Sequence, residues 1–226
     1  MIDELKFYLR RDGWTRTTYD PGRGLLNLGK QLGTPIPSRA NGSIVDRLRP
    51  TAPEAARPRS LSAIHGLGAF PFHTDLANFP VPPRYVLLRL EQGSASNRDT
   101  LLHDVRLLRL EGSLLSDLQR EVWCAIGGRR RFLTTAMATG PRDEIFVRFD
   151  RGCMRPRSPG AEPTALRFER VLSTARPTAV SWSRGFALVI DNWRTLHART
   201  LPTGGSDCDR VLERVLVDGN EPWGSA

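Results

Sequence analysis

Apolar residues fall along the chain in short runs broken by Gly, Pro and polar clusters. Phe186-Ala187-Leu188-Val189-Ile190 is an unbroken apolar run of strand length, closed by the turn-prone pair Asp191-Asn192. Residues 84–90 are rich in Val and Leu, 144–150 carry Phe146, Arg148 and Asp150, and both read as strands. The segment 210–217 opens with an alternation that puts Arg210, Leu212 and Arg214 on one face of a strand. Helical spacing of Leu114, Leu115, Leu118 and Val122 predicts a core-packing helix over 113–123. Shorter amphipathic helices are predicted over 3–11 and 24–32, and another within 163–179, ahead of a strand carrying Trp182. The Pro- and Arg-rich stretch 35–58 has little periodicity and is expected to wrap over the outside, and 156–163 reads as a Pro/Gly loop. The balance is a mainly β protein with flanking helices.

Composition fits one domain over residues 1–226. At 39% hydrophobic the chain can bury a full core, and barrels of this size commonly form a single domain. No apolar run approaches the roughly 20 residues of a membrane span. The start Met-Ile-Asp-Glu-Leu-Lys lacks the basic end and apolar centre of a signal peptide, so a cytoplasmic location away from membranes is expected. Cys124, Cys153 and Cys208 are odd in number and scattered, against a disulfide framework or a Cys-based zinc site. The formal charge of +9 invites a nucleic-acid reading. Yet of the 33 basic residues only Lys6 and Lys30 are Lys, a skew more like a coding bias than selection for a phosphate-tracking surface. Arg129-Arg130-Arg131, after Gly127-Gly128, is the one dense cluster and reads as a solvated hairpin tip. Nucleic acid is therefore not the expected partner. The competing reading is a catalytically silent barrel whose Arg-rich surface binds nucleic acid or an acidic partner.

The chemistry lies in Phe72-His73-Thr74-Asp75 and, more than a hundred residues later, Asp191-Asn192-Trp193-Arg194-Thr195-Leu196-His197. Two imidazoles and one carboxylate in the order His-x-Asp then His form the ligand set of non-haem Fe(II) oxygenases, which leaves positions open for co-substrate and oxygen. His73 and Asp75, two apart, share a side of an extended segment, whereas His197 has to arrive on a neighbouring strand. A random His-x-Asp occurs in roughly one chain of this composition in four, so the weight comes from the strand-like run that leads to His197. His65 and His103 read as structural, the first between glycines and the second within 101–110. Arg210 and Arg214, among apolar neighbours, need anions. The distal carboxylate of a dicarboxylate co-substrate would match the planar fork of Arg210.

Together these pieces resemble the taurine dioxygenase and clavaminate synthase-like group of Fe(II)- and 2-oxoglutarate-dependent oxygenases. The matching segments are His73-Thr74-Asp75, Asp99-Thr100-Leu101, Gly185 through Asp191-Asn192, Leu196-His197-Ala198-Arg199-Thr200, and Arg210 with Arg214, within residues 61–217. Asn97-Arg98 stands where many members have glycines. The resemblance implies a double-stranded β-helix, a jelly-roll, cupin-like core. It implies Fe(II) on His73, Asp75 and His197, and 2-oxoglutarate held at its far carboxylate by Arg210 and Thr100. It further implies oxygen-dependent decarboxylation to succinate coupled to oxidation, above all hydroxylation, of a small-molecule substrate. Arg214, Phe72 and Asn78 are the expected substrate residues, with Phe79, Arg148 and Arg184 as further pocket candidates. A carboxylate at position 75 argues against a halogenase, because the related halogenases vacate that ligand position.

Overall fold

The computed structural model describes residues 2–18, 22, 24–40, 42–58, 60–93, 98–128, 130–140, 143–203 and 210–219. In chain order the strands are β1 (Trp14–Thr17), β2 (Thr34–Ile36), β3 (Val45–Leu48), β4 (Phe70–His73), β5 (Tyr85–Gln92), β6 (Thr100–Asp104), β7 (Trp123–Gly127), β8 (Arg130–Thr134), β9 (Met137–Thr139), β10 (Ile145–Val147), β11 (Met154–Pro156), β12 (Thr178–Val180), β13 (Ala187–Asp191), β14 (Thr195–Arg199) and β15 (Val211–Asp218). The helices are α1 (Ile2–Asp12), α2 (Gly24–Leu32), α3 (Leu61–His65), α4 (Gly112–Arg120) and α5 (Ala161–Thr174). No helix among the described residues is long and apolar enough to cross a membrane.

A large sheet runs β1-β13-β5-β15-β2, with β3 also on β15, and a smaller one runs β12-β6-β14-β4. Every pairing within them is antiparallel. Side-chain alternation gives each sheet two uses. Val86, Leu88, Leu90, Leu188, Ile190, Leu212 and Leu216 of the large sheet meet Leu102 and Val180 of the small one, with Trp182 and Phe186 stacked at 5.4 Å. The alternate residues Leu87, Val189, Val215 and Val217 face outward beneath Leu5 and Leu9 of α1 and Leu25, Leu28 and Leu32 of α2. On the small sheet Leu196 turns outward into a third cluster with Phe149, Leu118 of α4 and Phe168 of α5. Two sheets face to face with helices outside are the expected jelly-roll.

Several boundaries move for identifiable reasons. The stretch 35–58 supplies β3 and the end of β2, so it is part of the sheet and not only a wrapping connection. These strands are too short for a periodic signal and form because β15 offers an edge to pair with. The strand expected over 144–150 ends at Val147, because the Arg148 amide turns to Ala136 O. The helix expected over 113–123 stops at Arg120, since Trp123 opens β7. The α5 helix begins inside the segment read as a loop. Pro163 is its third residue, where a missing amide proton costs nothing because first-turn amides have no intrahelical acceptor.

The N-terminal helix is fastened to the site strand by a buried arginine. Arg194 donates through Nη1 to Leu9 O (3.2 Å) and Arg10 O (2.6 Å) and through Nη2 to Arg11 O (3.3 Å), capping the C-terminus of α1. The same guanidinium pairs with Asp104 of β6. Gly13 follows α1 with φ +76°, and a Cβ there would lie 2.5 Å from Thr195 Oγ1, so glycine is required twice over.

Asp191, at the end of β13, is a buried carboxyl whose surroundings push it up to about 7. Burial is the dominant cause; Arg84, 4.0 Å away, offsets it only partly because it is committed to Glu144. Between about pH 4 and about pH 7 the folded chain therefore keeps a proton that the unfolded chain has lost. Stability should fall as pH rises through that window, by at most about 1.4 kcal/mol per pH unit from this group, and level off above it. Asp191→Asn should flatten that slope in urea unfolding across the window; an unchanged slope would show that Asp191 titrates normally.

Candidate active site

His73 and His197 are direct partners in the antiparallel β4–β14 ladder, so their side chains share the inner face, with ring centroids 4.4 Å apart. Asp75 lies two residues past the end of β4. Its Oδ1 is 3.9 Å from His73 Nε2 and its Oδ2 is 3.8 Å from His197 Nε2. The possible ligand atoms of the three residues all lie within 4.8 Å of one another, and all three residues are buried. These separations exceed a hydrogen bond, yet two ligands at about 2.1 Å from one cation can span about 4.2 Å.

Hydrogen bonds orient this group. His73 Nδ1 lies 3.0 Å from Pro71 O, and a proton there leaves the Nε2 lone pair for a ligand. Thr74 anchors the segment from between: its amide donates to Phe149 O at 2.8 Å and its hydroxyl to Val147 O at 3.1 Å. His197 Nδ1 is fully enclosed and has no hydrogen-bond partner among the described residues. His197 Nε2 is the nitrogen that faces Asp75, 3.8 Å from its Oδ2, and is the one placed to take a metal.

The charges also suit a divalent cation. Burial, with the neighbouring His73 adding to it, pushes the His197 imidazole down to about 3, so the ring is neutral at physiological pH. Burial would raise the Asp75 carboxyl, but the Arg214 guanidinium above all, and the two imidazoles, hold it below the usual carboxylate range. A neutral imidazole and an ionised carboxylate are the forms that bind metal.

Arg214 stands on β15 opposite Asp46 of β3 on one side and Leu88 of β5 on the other. Its Nη1 donates to Asp75 Oδ1 at 2.9 Å and its Nη2 to Asp46 Oδ2 at 2.8 Å. Asp46 is held in turn by the Ser38 hydroxyl at 3.1 Å and by Arg39 at 3.6 Å. Arg210 is buried just ahead of β15. Thr100 is buried at the start of β6, where Trp182 Nε1 donates to its Oγ1 at 3.0 Å. Leu212, two residues from Arg210, and Leu102, two from Thr100, belong to the same inter-sheet cluster.

No protein-family profile matches the chain. Clavaminate synthase 2 of Streptomyces clavuligerus is 29% identical over 159 residues, 65% of this chain and 49% of that protein. The chain thus spans about half the length of this curated relative. The solved structure of an asparagine oxygenase with Fe(II), 2S,3S-3-hydroxyasparagine and succinate superposes with a TM-score of 0.73 at 20% identity, covering 96% of this chain and 79% of that one. The non-haem iron oxygenase OrfP, in complex with Fe and alpha-ketoglutaric acid, gives 0.70 at 20% identity, over 97% and 80%. The fold is that of the iron- and 2-oxoglutarate-dependent oxygenases. The likeness to clavaminate synthase read from the sequence is borne out.

Within this oxygenase fold the remaining expected residues scatter. Phe72, expected on the substrate side, points the other way: neighbours on a strand face opposite sides, so its ring packs 4.4 Å from His103 and against the outer cluster. Asn78 packs on Gly127, where a Cβ would lie 2.1 Å from its Nδ2. Arg148 is enclosed and donates to the carbonyls of Ala77, Phe79 and Pro80, so it clamps the loop after Asp75 and does not line a pocket; burial lowers its pKa to about 10. Arg184 is exposed and donates to Gly93 O at 2.9 Å. Arg214 is engaged with Asp75 itself, closer to the centre than a purely substrate-facing role required. His103 Nε2 donates to Leu172 O at 3.0 Å, the ordinary contact expected of it. Arg130 and Arg131 are exposed on β8, whereas Arg129 and Cys208 lie outside the described residues.

Asp46 and Trp182 are neighbours of the site that sequence reasoning missed. Asp46 sat in a stretch with no periodic signal, and only pairing with β15 sets it opposite Arg214. Asp46→Ala leaves the half-buried Arg214 with a single carboxylate partner and should lower stability by about 2 kcal/mol in urea unfolding. A loss well under 1 kcal/mol would show that the pair is solvated.

Proposed function

We propose that this chain is an Fe(II)- and 2-oxoglutarate-dependent dioxygenase that oxidises, most simply by hydroxylation, a small amino-acid-like or carboxylate substrate. The observation that carries the reading is the convergence of a neutral His197, His73 and an ionised Asp75 on one buried point. His73, Asp75 and His197 would hold the iron, using nitrogen and oxygen donors suited to Fe(II). With iron bound, oxygen-dependent decarboxylation of 2-oxoglutarate to succinate supplies the oxidising power.

The protein's own groups bind and orient. Arg210 would hold the distal carboxylate of 2-oxoglutarate with its planar fork. Thr100 would assist: an indole N–H only donates, so the Thr100 hydroxyl must accept from Trp182, and its own proton is left to donate to a carboxylate. Arg214 would meet the organic substrate while keeping Asp75 ionised, since a substrate carboxylate can share a guanidinium already placed between two acids. The apolar cluster of Leu88, Leu102, Leu212 and Trp182 keeps the space between the sheets dry. An amino-acid substrate is favoured by the structural relatives, solved in complex with 2S,3S-3-hydroxyasparagine and with (3S)-hydroxy-L-Arg.

Iron-loaded protein supplied with oxygen and 2-oxoglutarate should release succinate above a metal-free control, and addition of amino-acid pools should raise the rate. Arg210→Ala should weaken 2-oxoglutarate binding by about 2 to 5 kcal/mol in anaerobic calorimetry with Mn(II), leaving Mn(II) binding intact. His73→Ala and His197→Ala should abolish the metal site. Absence of iron-dependent succinate across broad substrate pools would sink the proposal.

A further inference from the structure

We infer that Asn192 is a positioning residue for the metal site, holding the main chain of Asp75 so that its carboxylate is presented at a fixed angle. This rests on Asp75 being a metal ligand, as proposed above. The Asp75 amide donates to Asn192 Oδ1 at 2.9 Å, and Asn192 Nδ2 donates back to Asp75 O at 3.1 Å. One side-chain amide thus closes a ring on both sides of a single residue, as a neighbouring strand would. Its second Nδ2 hydrogen goes to Pro83 O at 2.8 Å, so every group of the carboxamide is used, and flipping it would set donor against donor. The Asn192 backbone amide is itself anchored on Arg84 O at 2.7 Å, and the residue is 1% exposed.

Asp75 needs such a hold because it is not in a strand. β4 ends at His73, and Leu76 takes φ +53°, the left-handed region that a branched side chain avoids. The chain therefore reverses directly after the ligand in a conformation its own residues do not favour, and an outside tie has to maintain it. Asn192 sits in the turn between β13 and β14, five residues before His197. The same short segment thus supplies one ligand and fixes the backbone of another. An outer hydrogen bond of this kind is worth about 10- to 100-fold in metal affinity where it orients a ligand.

The test titrates Mn(II) into the metal-free protein and follows the free-ion electron paramagnetic resonance signal, with thermal melting measured in parallel. Asn192→Ala should weaken Mn(II) binding tenfold or more. So should Asn192→Ser, whose small polar side chain suits a turn but does not span to Asp75, should the alanine variant fail to fold. Trp193→Phe removes the neighbouring tie from Nε1 to Pro82 O (2.8 Å) without touching Asp75. It should lower the melting temperature while keeping Mn(II) affinity within about twofold of the parent. Parent-like affinity in the folded Asn192 variants would overturn the inference, as would an equal loss in Trp193→Phe, which would mean the whole segment and not Asn192 is responsible. A parent protein with no Mn(II) site would instead overturn the reading of the triad.

Discussion

The register between β4 and β14 is the constraint on which the site depends. Because His197 lies directly opposite His73, both rings fall on one face of the small sheet, and a slip of one residue would turn one of them into the outer cluster beside Leu196. That register is itself pinned from the other side, where β14 pairs with β6 along its full length from Thr195 to Arg199. Apolar packing on both faces of the small sheet fixes it. Leu102 points into the inter-sheet core and Leu196 into the helical one.

On that frame the charges are balanced locally. Asp75, Arg214 and Asp46 form a row in which one half-buried guanidinium serves two carboxylates, and Ser38 and Arg39 support the outer acid. Burial would raise the Asp75 carboxyl, whereas the Arg214 guanidinium above all, with the two imidazoles, holds it below the usual range. The arrangement sets the charge state of the Asp75 carboxylate, just as Pro71 O sets the tautomer of His73.

Arginine does a second kind of work inside this molecule. Arg84, Arg98, Arg148, Arg194 and Arg210 are all buried. Arg148 fastens the loop after Asp75 through three carbonyls, and Arg194 ties α1 to β6. A planar group with five donors can satisfy several backbone acceptors at once, which suits loops that have no ladder partner. Part of the arginine excess is thus interior.

The proposed reaction class was legible in the sequence because it depends on residue types and on local period. His-x-Asp, a later His beyond an apolar strand, and two arginines four apart announce metal and dicarboxylate chemistry, and the run before Asp191-Asn192 announces the strand. Helices α1 and α2 were legible for the same reason: their apolar positions repeat every turn. What the sequence did not contain is what long-range pairing creates. Asp46 beside Arg214, the tie from Trp182 to Thr100, and the hold of Asn192 on Asp75 join residues 82 to 168 positions apart, and no local pattern encodes them. Phe72 shows the limit from the other direction. Adjacency to His73 suggested a shared pocket, but strand alternation turned it outward once β4 was paired. Residue chemistry thus names what the site can do, and the packing of two sheets decides which side chains reach it.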